Sequence, residues 1–303
     1  MFRKKHSLIK GTLILTSAGL VSRVLGFFFR IFLSHTFGEE QVGLYQLIFP
    51  FYALCLSLST SGLETAISRS VSRFHSLGRT HDGKFIFQTG LILSVLISLI
   101  CTFLVQKNSV FLSNRFLGDP RCATLLYLIV LALPAASVHS CICGYHYGLQ
   151  RTSVPAISQL IEQFVRISSV FVLYFIFIHS GVHPAIPLAV SGIIFGELAA
   201  AGYSLFSLKK KGFDADSPYI LSISKSCSEL LRLSVPLTVN RTAITFLQGI
   251  EAASIPVCLE LASHSASEAL SIYGVLTGMA LPCILFPCAL TNSISLLLIP
   301  AVA

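Results

Sequence analysis

Apolar runs of about 20 residues recur along the whole chain, each long enough to cross a hydrocarbon layer about 30 Å thick. In water these runs would need a polar envelope that the sequence does not provide. Of 303 residues, 54% are hydrophobic and only 11% charged, and mean hydropathy is +0.80. A soluble domain carries about 25% charge. The pattern describes an all-α integral membrane protein of about eight transmembrane helices. They fall at about Thr12–Ser34, Val42–Ser61, Phe85–Val105, Ala123–Tyr145, Val154–Ile178, Pro184–Leu208 and Leu230–Gln248, with the eighth running from near Ala269 through Pro282 and Pro287. Prolines and glycines suit a kinked membrane helix, where neighbours satisfy the freed backbone groups.

The basic residues give the topology. Arg3, Lys4, Lys5, Lys10, Arg69, Arg73, Arg79, Lys84, Arg151, Lys209, Lys210, Lys211, Lys225 and Arg232 fall on the side that holds the N-terminus. Only Lys107, Arg115 and Arg121 fall on the other. Basic residues mark cytoplasmic loops, so the N-terminus is expected in the cytoplasm of a multi-pass protein of the cell membrane. The net charge of +8 then reports topology and anionic lipid headgroups, with no nucleic-acid partner required. Arg3-Lys4-Lys5 before an apolar run has the outline of a signal peptide. Arg23 and Arg30 interrupt that run and no small-residue cleavage site follows closely, so the first helix is read as uncleaved.

The longest polar stretch, residues 209–229, divides the chain into a first six-helix bundle over residues 1–208 and two further helices over residues 230–303. The sequence is still apolar at Ile299-Pro300-Ala301-Val302-Ala303, as expected of a second bundle that continues. If the short form is native, a partner chain or a homodimer is expected to complete it. The cysteines do not form a disulfide framework: Cys55, Cys101, Cys141, Cys143, Cys283 and Cys288 lie in apolar runs as small hydrophobes. Cys122 and Cys258 approach the same surface, but spacing alone does not fix a bridge.

Four arginines lie inside apolar runs: Arg23, Arg30, Arg166 and Arg241. Each costs about 2.5–3.5 kcal/mol at a helix centre and calls for a reason. Arg23 and Arg30 are two turns apart and share a face with Gly19 and Gly26, a small cationic stripe suited to a water-filled cavity that receives an anion. Arg30 alone has the option of snorkelling to headgroups. Arg23 sits about 15 Å from either surface, too deep for that. On the fifth helix Gln159, Glu162, Gln163, Arg166 and Ser169 form a polar face, where Glu162 and Arg166 at i,i+4 are placed to neutralise each other. Arg241, Thr245 and Gln248 repeat the idea on the seventh. Glu197 has no partner on its own helix, which leaves a cross-helix ion pair or a protonatable coupling group. His139, Cys143 and His146 have metal-ligand types at helical spacing, but coincidence on a bundle face explains them better, so no metal is expected. No P-loop, HExxH or nucleophile elbow appears, which argues against an ATPase or a hydrolase, and no cofactor is expected.

Several segments, taken together, carry a resemblance. They are Lys10-Gly11-Thr12-Leu13 with Gly19-Leu20-Val21-Ser22-Arg23, Phe37-Gly38 with Gly43-Leu44-Tyr45-Gln46, and Gly148-Leu149-Gln150 with Ile157-Ser158-Gln159-Leu160-Ile161-Glu162-Gln163. Ile272-Tyr273-Gly274-Val275-Leu276-Thr277-Gly278-Met279-Ala280 and Leu290-Thr291-Asn292-Ser293 complete the set. The chain resembles the stage V sporulation protein B family, polysaccharide-biosynthesis transporters of the multidrug/oligosaccharidyl-lipid/polysaccharide superfamily. The resemblance implies two six-helix bundles facing each other across a central cavity, with alternating access. It implies export of a lipid-linked oligosaccharide or peptidoglycan precursor for cell wall or spore cortex, with a pyrophosphate-linked sugar as substrate. By position, Arg23 and Arg30 match the helix-1 arginines that meet substrate phosphates in related lipid II flippases; Arg166 and Arg241 match less closely. Two other readings remain open, a cation-coupled multidrug exporter of the same superfamily and a non-transporting scaffold for envelope or spore assembly. The first helix offers two arginines and no acid, which favours an anionic lipid over a cationic drug.

Overall fold

The computed structural model describes residues 2–209, 223–262 and 265–285, and all regular structure among them is helical. Eight of its helices are long and apolar enough to span a membrane. They are α1 (Phe2–Phe37), α2 (Glu39–Ser76), α3 (Thr80–Lys107), α4 (Cys122–Gly148), α5 (Ser153–His179), α6 (Pro187–Lys209), α7 (Ile223–Leu261) and α8 (Ala266–Leu285). Residues 210–222, which form most of the expected linker, and residues 286–303, with Pro287 and Leu290-Thr291-Asn292-Ser293, lie outside the described residues.

Two boundaries differ from the sequence reading. The second helix does not stop at Ser61; it passes through a π-helical turn at Ser57–Ser61 and continues to Ser76. Ser59, Thr60 and Ser61 donate to the carbonyls of Cys55, Leu56 and Ser57 at 2.8–2.9 Å, and Ser94 of α3 donates to the Ser59 carbonyl at 2.7 Å. These hydroxyls satisfy backbone groups that a wide turn leaves short, so a polar run that reads as an exit is a continuous helix. The seventh helix does not stop at Gln248 but runs on to Leu261, so Glu251 and Glu260 sit on α7.

In α4, Pro134 has no N–H for the Val130 carbonyl one turn earlier, and the chain tightens into a 3₁₀ turn at Val130–Ala132. The Leu133 N–H donates to that carbonyl instead, and the Thr102 hydroxyl of α3 is shared between it, at 3.0 Å, and the Ser98 carbonyl, at 2.8 Å. The repair ties α3 to α4 in the middle of the bundle.

The buried apolar residues form two cores. One gathers Leu33, Val42, Ile48, Leu126, Leu133, Val190 and Tyr273; the other gathers Ile67, Phe74, Phe87, Ile142 and Leu230. Between them, at the level of Ser59, Ser94, Ser98 and Ser137, runs a belt of buried hydroxyls, with Ser98 and Ser137 hydrogen-bonded at 3.1 Å. Large apolar side chains such as Phe103, Phe164, Phe175 and Leu247 are exposed, as expected of a surface facing lipid.

Close helix contacts rest on glycine. A side chain at Gly196 of α6 would meet the Glu162 carbonyl of α5 at 2.8 Å, and one at Gly192 would meet the Arg166 carbonyl at 2.9 Å. This small-xxx-small stripe lets α5 approach α6 backbone to backbone. Against α2, α8 crosses where Gly274 faces Gly43, and a side chain at Gly274 would lie 2.7 Å from the Gly43 nitrogen. α7 lies against the other half of α2, where Arg73 donates to Glu229 at 2.9 Å. At the opposite end Arg121 ties the α3–α4 connection to α2 by bonds to Asp119 at 2.8 Å and to Glu40 at 2.7 Å. Partial burial works against the Asp119 carboxylate, but the Arg121 side-chain and backbone hydrogen bonds outweigh it and hold its pKa below the ordinary carboxylate range. Cys122 and Cys258 are both free, so no bridge joins them.

Candidate functional site

A cavity of about 570 Å³ opens among α1, α2, α5 and α8. Ser22, Arg23, Gly26 and Arg30 of α1 line one wall, Tyr45 and Gln46 of α2 a second, Gln163 and Arg166 of α5 a third, and Thr277 of α8 a fourth. Phe27, Phe29, Phe49 and Leu281 supply apolar lining. Phe27 thus belongs to the cavity, beside the stripe of Arg23, Gly26 and Arg30.

The local sequence explains this placement. Arg23 and Arg30 point the same way because seven residues make two turns. Gly26 between them leaves room for α5: a side chain there would meet Gln163 Nε2 at 3.4 Å. Phe32, further along α1, packs at a tilt on Phe171 of α5 with ring centroids 4.2 Å apart and meets Tyr174 edge-on at 5.6 Å. Those aromatic contacts fix the rotation of α1 and turn its cationic stripe inward. On α8 a π-helical turn at Val275–Ala280 carries Thr277, whose hydroxyl donates to the Tyr273 carbonyl at 2.7 Å.

Three guanidiniums therefore share one cavity, and no carboxylate is among its described lining residues. Arg166 is ion-paired with Glu162, one turn back on the same helix, behind the cavity wall. Gln159 is exposed on α5 and does not line the cavity; Gln163 does. Arg241 is not brought to the other arginines. It is exposed on α7, outside the cavity, within electrostatic reach of Glu64 on α2. The chemistry of such a wall is anion recognition: planar guanidinium forks bind phosphate or pyrophosphate oxygens in pairs and keep their charge at any cellular pH, and neutral amide groups add hydrogen bonds.

Behind this wall lies a second polar cluster. Glu197 does not pair with an arginine; its Oε2 lies 3.5 Å from Nδ1 of His139 on α4. Ligand atoms of His139, Glu162 and Glu197 all fall within 4.8 Å of one another. The His139-Cys143-His146 triplet is split: His139 and Cys143 both meet Ser158, while His146 shares a hydrogen bond with Ser207 at 3.2 Å. Glu64 and Tyr52, absent from the sequence reading, join the cluster from α2. Glu64 was legible only to a reading that carried the second helix beyond Ser61.

The fold and its site define a class: a multi-pass, all-helical membrane protein with a cationic cavity inside its bundle. The chain belongs to the polysaccharide biosynthesis protein family, whose model matches residues 8–302. It is 33% identical over 303 residues to stage V sporulation protein B of Bacillus subtilis (strain 168), covering 99% of this chain and 58% of that protein. It is 25% identical over 314 residues to the lipid II flippase MurJ of the same organism, covering 97% of this chain and 57% of that protein. The chain thus spans under two thirds of the length of these relatives. Among solved structures, a transporter of the MOP superfamily from Pyrococcus furiosus matches with a TM-score of 0.64 at 14% identity, over 95% of this chain and 64% of that one. A MATE protein in complex with Br-NRF matches with a TM-score of 0.63 at 14% identity, over 98% of this chain and 71% of that one. These two likenesses concern the fold alone.

Proposed function

We propose that this chain is the substrate-binding part of a flippase that moves a lipid-linked, pyrophosphate-bearing saccharide across the cell membrane by alternating access. The reading carries with it a cytoplasmic N-terminus, a first six-helix bundle over residues 1–208, a linker over residues 209–229, and α7 and α8 as the start of a second bundle. One observation carries it: Arg23, Arg30 and Arg166 line the same cavity, and no carboxylate is among its described lining residues. A volume of about 570 Å³ lies within the range of small-molecule sites and suits a pyrophosphate with its first sugar. The relative named as a lipid II flippase supports the same substrate class. A cationic drug finds no carboxylate on this wall, so the drug-exporter alternative is the weaker reading.

The test is the substitution of Arg23. Arg23→Ala is expected to reach the membrane in normal amount and to lose transport of the lipid-linked saccharide. Arg23→Lys is expected to restore part of it, because a point charge replaces a bidentate fork. Membrane abundance is measured beside flipping in proteoliposomes. Full activity in Arg23→Ala refutes the phosphate-site assignment, and loss of the protein itself assigns Arg23 to structure instead.

A further inference from the structure

The hydrogen bonds around His139 favour one tautomer. Ser158 has one hydroxyl proton and donates it to the Pro155 carbonyl at 2.9 Å. With that proton so engaged it accepts from His139 Nε2 at 3.0 Å, the arrangement of the tautomer protonated on Nε2. In the neutral ring Nδ1 then presents a bare lone pair to Glu197 Oε2, 3.5 Å away. Glu197 is only 8% exposed, and that oxygen has no hydrogen-bond partner. Two acceptors face each other in a buried site, an arrangement that costs free energy until a proton lies between them. Tyr52, 5% exposed, has a hydroxyl without a partner as well and lies within electrostatic reach of Glu197, Glu162 and Arg166.

The charges of the surrounding helices agree. Around His139 stand Glu64 and Tyr52 from α2, Cys143 from its own helix, Glu162 and Arg166 from α5, and Glu197 from α6, with Arg241 of α7 near Glu64. Arg166 offsets Glu162, while Glu64 and Glu197 both look to His139 for a positive charge. A divalent metal does not suit this set, because the Arg166 guanidinium already holds Glu162 and would repel the ion. Sodium does not suit it either, since an imidazole nitrogen is a poor ligand for a hard cation.

We propose that His139 and Glu197 form a proton-uptake site, and that the Glu162–Arg166 pair links it to the anion cavity. This rests on the reading of Arg166 as a phosphate ligand. An anion in the cavity draws the guanidinium toward itself and leaves the Glu162 carboxylate beside His139 and Glu197. The cluster then takes up a proton on Nδ1 from water, and the imidazolium bridges α4 and α6. Coupling between two sites is reciprocal, so protonation in turn favours anion binding. Substrate and proton thus load together.

Two measurements on the purified full chain test this separately. With ¹⁵N-labelled histidine and no ligand present, one imidazole resonance is assigned to His139 by its loss in His139→Gln. In the isosteric Glu197→Gln, its titration is expected to require at least about tenfold more protons, because a carboxylate beside the ring has been neutralised. An unchanged titration in a variant whose other resonances show a folded protein overturns the site. Calorimetry with farnesyl pyrophosphate, in buffers of different ionisation enthalpy, counts protons exchanged on binding. Net uptake is expected in the native protein and is expected to be lost in Glu197→Gln, which still binds the probe. Binding without uptake overturns the link to the cavity. If the probe does not bind at all, the phosphate reading of the cavity fails, and the resonance titration still decides the proton site.

Discussion

At the scale of single residues, the cost of a charge inside a membrane separates the arginines into roles. Arg166 has a local answer in Glu162, at the i,i+4 spacing that brings two side chains onto one helix face. Removing one member of such a pair leaves the other uncompensated. Glu162→Ala is expected to destabilise the detergent-solubilised protein by about 3 kcal/mol, read as a drop in thermal midpoint. Glu162→Leu combined with Arg166→Met is expected to recover most of that stability, because apolar residues of similar volume often replace a buried pair without loss. The double variant is expected to stay inactive in transport. The i,i+4 pair and the two-turn stripe of Arg23 and Arg30 were legible in the sequence, since each depends only on the period of one helix. The partner of Glu197 was not legible. It depends on how α4 and α6 pack, and a lone histidine among apolar residues gives no sign of the helix it will face.

At the scale of elements, irregular turns mark where helices must share backbone hydrogen bonds. The Val130 carbonyl, freed by Pro134, accepts from the Leu133 N–H of the tightened turn and also meets the Thr102 hydroxyl of the neighbouring helix. Thr102→Val keeps the shape and removes the hydroxyl, so it is expected to cost about 0.5–1.5 kcal/mol in thermal unfolding, the net worth of one buried hydrogen bond. Thr102→Ser is expected to retain most of the stability. The existence of these helices was plain from hydropathy, but their ends were not. Hydroxyl-to-carbonyl bonds at Ser57–Ser61 let α2 continue through residues that look like an exit from the membrane. Hydropathy scores a serine by its affinity for water and has no term for a hydroxyl turned onto its own helix.

At the scale of the whole molecule, two apolar cores enclose a belt of hydroxyls and charges, and the cationic cavity lies beside that belt. The charge bias of the loops predicts which end faces the cytoplasm. A cysteine introduced at Ser217 is expected to react with a membrane-permeant thiol reagent and to resist an impermeant one applied to intact cells. Labelling from outside would invert the topology. The central claim is that the arginine wall receives a pyrophosphate. It is tested most directly with a Ser22→Cys variant of the full chain, following its labelling by a charged thiol reagent over the background of the unsubstituted protein. Ser22 lines the cavity beside Arg23. An undecaprenyl-pyrophosphate-linked saccharide is expected to slow the labelling, and undecaprenol, which has the same tail and no phosphate, is expected to leave it unchanged. Equal labelling rates with the saccharide and with the alcohol would contradict the account.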